Sequence, residues 1–187
     1  MVAMMTASIE VVSLLLNGGA NIQSVDVMGN DAFMFASIFG RPKNLGCWLE
    51  RVKDWDLNRK NTVIGGCALS HAVYMGANKL ETVKILLDAG ASIDYRTFTG
   101  STVLINAVDN EDSDPNVVRL VLEKLKNSLC AKEFTSIVNH RMQASSAKWK
   151  ILYFLSKVAN RVTGLNSGMM YVISMWAGTT ALNLALV

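Results

Sequence analysis

An all-α fold, a solenoid of stacked helix-turn-helix units, is what this sequence predicts, on three observations. The apolar content, 51% of 187 residues, is carried by Leu, Val, Ile, Met and Ala, with aromatics at 7% and two prolines. That mix suits helices better than strands. Segment 9–22 reappears as segment 80–93, an offset of 71 residues or two periods of about 35. A second signature falls between those copies, at 29–36, 65–72, 100–107 and 178–185, with spacings of 36, 35 and 78. Self-similarity at such a period marks a repeat architecture.

Each unit can be justified from its own residues. Leu80, Val83, Leu86 and Leu87 fall on one stripe of a helix. Gly90 follows the last periodic residue, where a left-handed cap suits a residue without Cβ, and Gly19 does the same in the first copy. Gly29, Gly65 and Gly100 sit in the turn before each following hairpin. One helical hairpin cannot bury its apolar side alone; neighbours stacked in a row do it together.

These alternating signatures resemble the ankyrin repeat, a unit of roughly 33 residues built as a turn and two helices. The family's Gly-x-Thr-Pro-Leu-His-x-Ala motif is best kept at 178–185, and its second-helix motif at 10–20 and 81–91. The resemblance covers 8–126 and 178–187. It implies a partial repeat at 8–25 and repeats at 26–60, 61–96 and 97–130. A degenerate or inserted helical pair at 131–177 and the start of a truncated repeat at 178–187 complete the division. Its signature positions here are Gly29, Ala36, Gly65, Ala72, Gly90, Gly100, Ala107, Gly178 and Ala185.

The departures carry expectations too. Met34, Ser70, Ile105 and Asn183 stand where the family has His, and Asp31 and Cys67 where it has Thr. Repeats two and three are therefore expected to be less stable than an idealised array. The acidic loop 109–115 ends in Pro115, placed to open a helix. The chain is expected to begin inside a repeat, with no first helix before Ile9, and to be a fragment of a longer array.

Segment 145–162 reads as a long helix capped by Ser145 or Ser146, with Ile151, Leu155, Val158 and Val162 as its inner stripe and Lys150, Lys157 and Arg161 beside it. A second apolar helix is expected at 168–176, capped by Ser167. From residue 131 onward Lys132, Arg141, Lys148, Lys150, Lys157 and Arg161 face one acid, Glu133, so this part carries +5 and the rest −2.

Candidate chemistry is sparse. Cys67 and His71, four residues apart, share a helix face and invite a metal or nucleophile–base reading; two inner residues of a repeat is the plainer one. His140 has no acidic or thiol partner nearby and reads as a solvated surface residue. The run 111–114 lacks the spacing of a calcium loop, and no phosphate-binding or nucleophile-elbow motif occurs. No metal, cofactor or small-molecule substrate is expected, and the chain is not expected to be an enzyme.

Cys47, Cys67 and Cys130 are widely spaced and form no CxxC pair, which suits a reducing compartment. The start lacks the pattern of a signal peptide. The apolar run 169–177 is broken by Ser174 and falls short of the ~18 residues of a membrane span. A cytoplasmic setting, with the nucleus also open, is the expectation.

The resemblance implies a protein-interaction module or scaffold that holds another protein on the concave face of the array, beside neighbouring repeats of a longer parent chain. On this chain Met28, Lys60, Thr62, Arg96 and Phe98 occupy the turn tips, and Phe98 and Tyr95 beside Arg96 have the composition of an interface hot spot. Two alternatives stay open. One is a regulatory or adaptor segment of a larger multidomain enzyme. The other is binding of nucleic acid or an anionic membrane surface through the basic helix 148–161, less expected because aromatics of amphipathic helices commonly pack inward.

Overall fold

The structure, a computed structural model, describes residues 1–109, 113–163 and 179–181, with the backbone alone for 159–163. Its helices are α1 (Val2–Thr6), α2 (Ile9–Asn17), α3 (Ala32–Ile38), α4 (Pro42–Arg51), α5 (Ala68–Met75), α6 (Lys79–Asp88), α7 (Val103–Val108), α8 (Pro115–Ser128), α9 (Ala131–Val138) and α10 (Ala147–Thr163). Among the described residues there is no strand beyond two isolated bridges, Val25 to Asp31 and Arg96 to Thr102. The fold is an all-α solenoid.

The first eight helices form two layers. In one, α1 packs on α3, α3 on α5 and α5 on α7; in the other α2, α4, α6 and α8 stack in the same order. The stripe chosen by helical period faces the seam. Leu69, Val83, Leu86, Ile105, Val121 and Leu125 are all essentially sealed from solvent. Ala36, Ala72 and Ala107 are buried as well, where a larger side chain would push the inner helices apart.

Turn chemistry ends the helices. After α6, Gly90 adopts φ +97, its N–H donates to Leu87 O at 3.1 Å, and the Ala91 N–H reaches Leu86 O at 3.0 Å. This is a Schellman ending, and a Cβ would strain it. Pro115 opens α8 behind Asp114, whose carboxylate accepts from Asn116 N at 2.8 Å.

The caps of repeats two and three are built from residues other than the family's Thr. Asp31 accepts from Met34 N at 2.8 Å, the hydrogen bond that Thr102 makes to Ile105 N at 3.2 Å in the next but one unit. Between them, the Cys67 N–H donates to Ser70 Oγ at 2.8 Å. The orphan donors of the helix ends are met by different side chains.

A first helix does precede Ile9, contrary to expectation. α1 is five residues long and would be marginal alone. The next unit holds it: Asn44 Nδ2 donates to Met4 O and Ala7 O at 3.2 and 3.1 Å, and an Arg41 guanidinium nitrogen donates to Ala7 O at 3.1 Å. Those carbonyls are the ones a helix end leaves open.

Helix α10 also departs from expectation. Ser146 caps it, accepting from Trp149 N at 3.3 Å. Its inward side is Trp149, Leu152, Tyr153 and Ser156, while Ile151, Leu155 and Val158 of the predicted inner stripe are exposed. Both faces of this helix carry apolar residues, so period alone could not choose between them. The Val162 and Arg161 side chains, the expected cap at Ser167, the expected helix at 168–176, Gly178 and Ala185 lie outside the described residues.

Candidate functional site

The solenoid presents a row of tight turns, or fingers, each with a backbone bond between its two ends. Asp26 N donates to Asn30 O at 2.9 Å, Asn61 N to Gly66 O at 2.9 Å and Thr97 N to Ser101 O at 3.0 Å. The first residue of each finger also uses its side chain. Asp26 Oδ1 accepts from Met28 N and Asn30 N, Asn61 Oδ1 from Ile64 N and Gly66 N, and Thr97 Oγ1 from Ser101 N. Three different residue types thus perform one turn-closing task.

A fourth finger breaks the rule. The equivalent bond runs from Met142 N to Thr179 O at 2.8 Å, 37 positions apart where the others span four or five. α10 lies between those two residues in sequence. Thr180 and Ala181 then follow as Thr102 and Val103 do in the third finger, and Ala181 is helical.

Fingers are tied to one another through their backbones. Thr62 N donates to Met28 O at 2.9 Å, Phe98 N to Ile64 O at 2.7 Å and Ser145 N to Phe98 O at 3.0 Å. Asn61 Nδ2 donates to Asn30 Oδ1 at 2.9 Å, a buried link between neighbours. This ladder is what fixes side chains along the finger row.

The six sequence-predicted contact residues occupy different environments. Met28 and Thr62 are exposed, with Thr62 Oγ1 also donating to Met28 O at 2.8 Å. Tyr95 is buried, and its hydroxyl donates to Gly65 O at 2.5 Å; burial pushes that phenol well above its ordinary range. Phe98 is half-buried against Gly65. Lys60 Nζ stands 5.1 Å from the Tyr95 ring centroid and 5.4 Å from that of Phe98, and donates to Arg96 O at 3.3 Å. Lys60, Tyr95, Arg96 and Phe98 therefore meet in one place, a cation held over an aromatic floor beside an exposed guanidinium.

That place opens into a cleft of about 770 Å³, lined by Lys60, Asp94 and Arg96 on one side and Lys132, Glu133 and Ile137 of α9 on the other. The two acids have local partners. Glu133 Oε2 accepts from Cys130 N at 3.1 Å, and Asp94 accepts from the Ser92 hydroxyl. Sequence reasoning missed the α9 side. Its signal was the pattern of Phe134, Ile137 and Val138 turned toward the core, which leaves Lys132 and Glu133 outward.

A smaller pocket, about 130 Å³, lies between α5, α7 and α10 and is lined by His71, Tyr74, Asn106, Asp109 and Trp149. Burial drives the His71 pKa down to about 4 and raises that of Asp109 to about 6. Burial likewise pushes the Cys67 thiol up, the direction opposite to nucleophile activation. His71 Nε2 faces Asn61 Nδ2 at 3.4 Å. His140 is not a solvated surface residue: it is half-buried, with Nε2 3.1 Å from Gly100 O.

No protein-family model matches the chain, and no curated protein does. The chain is similar to the crystal structure of EF0377, an ankyrin repeat protein, with a TM-score of 0.57 and 29% identity. The match covers 65% of this chain and 61% of that one, so the chain matches less than two thirds of that protein's length.

Proposed function

With an ankyrin-repeat-like fold as the premise, we propose that this chain holds another protein in the cleft between its third finger and α9. Such a fold supports a protein-interaction module in general, and it is typically not an enzyme fold. The observation that carries the finer reading is the meeting of Lys60, Arg96 and Lys132 around one cleft beside Tyr95 and Phe98. Three cations line it, while its two acids are engaged by their own neighbours. A carboxylate-bearing segment of a partner fits that balance, with Arg96 free to offer a bidentate contact.

The position supports the reading as well. Arg and aromatic residues, together in a concavity that excludes water, make the few contacts on which binding energy concentrates. Trp149 closes the pocket beside the inner helices α5 and α7, so part of the inner face is already covered by α10. The partner then enters at the side of the finger row that α10 leaves open.

Affinity capture with the whole chain as bait, compared with the Lys60→Glu/Arg96→Glu variant, is the test. Both side chains are exposed, so the melting midpoint is expected to change little while partner recovery falls at least about tenfold, a loss of ~1.4 kcal/mol or more. Equal recovery by both baits at equal folding overturns the cleft.

A further inference from the structure

The reversed packing of α10 creates a second surface. Ile151, Phe154, Leu155 and Val158 are 59%, 66%, 51% and 42% exposed, and they follow one another at i, i+3, i+4 and i+7. They form a continuous apolar crest along the outside of the helix. With roughly 100° per residue, Lys148 lies on one flank of that crest and Lys150 and Lys157 on the other, all three exposed. From Ala147 to Thr163 there is no acid.

We propose that this outer face of α10 adsorbs to an anionic lipid bilayer, its crest in the interface and its lysines at the headgroup phosphates. Cations on both sides of an apolar line suit a plane, because lysine stems lie along apolar surface while their ammonium groups reach outward. A single-stranded nucleic acid would need several exposed aromatics for successive bases to stack on, and among its described side chains α10 exposes one, Phe154. Here Trp149 donates to Val63 O at 3.0 Å and Tyr153 to Thr99 O at 3.0 Å, so those two rings face the fingers. The same two bonds hold α10 ready-folded, so adsorption spends little on ordering it. Adsorption is the mode, since among the described residues no helix is long and apolar enough to cross a membrane.

Helix α2 supplies the contrast. Ile9, Val11, Leu14 and Leu15 are exposed there too, Leu14 at 70%, yet α2 carries Glu10 and no cation. Apolar exposure without the flanking charge should not draw the chain to an anionic surface.

The test is sedimentation of the full chain with vesicles of phosphatidylcholine alone and of phosphatidylcholine and phosphatidylserine in equal parts. Binding to the mixed vesicles is expected to be at least tenfold tighter and to weaken with salt. Lys150→Gln and Lys157→Gln should each lower it about fivefold. Phe154→Gln/Leu155→Gln should abolish it, Leu14→Gln should leave it unchanged, and circular dichroism should show every variant folded. The proposal is overturned by vesicle binding that ignores phosphatidylserine or survives Phe154→Gln/Leu155→Gln. Preference for an RNA oligonucleotide over the mixed vesicles overturns it equally, as does a crest occupied by a second copy, seen as a dimer in sedimentation velocity that Phe154→Gln/Leu155→Gln dissolves.

Discussion

The helix stack α1–α8 and the helix α10 bury comparable side chains by different means. In the stack, a residue's burial follows from its place in the repeat: Leu69, Leu86 and Ile105 are sealed because neighbouring helices lie along the same stripe. In α10, burial follows from two polar anchors, Trp149 and Tyr153, that find backbone carbonyls on fingers 86 and 54 residues away. Local period governs the first region, and distant partners govern the second.

That difference has measurable consequences, the largest of them in the stack. Leu86→Ala removes a fully buried side chain where two layers meet and should lower the unfolding free energy by about 3 kcal/mol in urea titration. Leu155→Ala, on the exposed crest of α10, should change it by less than about 0.5 kcal/mol. Similar losses at the two sites would erase the contrast.

Gly100 joins the two regions. It sits at φ +86, and a Cβ there would lie 2.0 Å from Gln143 O, on the segment leading into α10. Gly100→Ala should therefore destabilise by roughly 2–3 kcal/mol, from backbone strain and loss of that approach. Protease cleavage near residue 145 should accelerate in the variant, whereas a stack-only defect would leave that site protected.

Next in size is a response to acid. His71 is buried and its pKa is depressed to about 4, against 6.5 for the unfolded chain. Its contribution is intact above about pH 6.5 and is lost as pH falls toward 4, because the unfolded state takes up the proton first. Asp109, raised to about 6 by burial, acts in the opposite sense and gains stability as pH falls through that value. Comparing His71→Gln with the native chain isolates the histidine: between pH 7 and pH 5 the native chain should lose about 2 kcal/mol more than the variant. Parallel pH profiles would place the sensitivity elsewhere.

The smallest effect belongs to the surface of the stack. Lys124 Nζ lies 2.9 Å from Asp88, but the Asp88 side chain is 69% exposed. Lys124→Ala should lower the unfolding free energy from urea titration by no more than about 0.5 kcal/mol, and less in high salt.

Much of the stack was legible because its helices announce themselves twice, by apolar period and by turn glycines such as Gly29, Gly65 and Gly100. Tyr95, Arg96 and Phe98 could be grouped from sequence, whereas the approach of Lys60 to those rings, from the preceding unit, is set by the stacking of the fingers. Three things were hidden. α1 has no turn signal of its own and depends on Asn44 and Arg41 of the next unit. The α9 wall of the cleft comes from a segment outside the repeat pattern. The inward face of α10 is chosen by Val63 O and Thr99 O, which no reading of residues 147–163 contains.

Native-state hydrogen exchange of the α10 amides tests the central contrast most directly. They are expected to open at lower free energy than the stacked helices, with Tyr153→Phe and Trp149→Phe each lowering that opening by about 1 kcal/mol and leaving α3, α5 and α7 unchanged. If α10 exchanges at one rate in all three proteins, the two anchors do not hold it and the contrast between the regions fails.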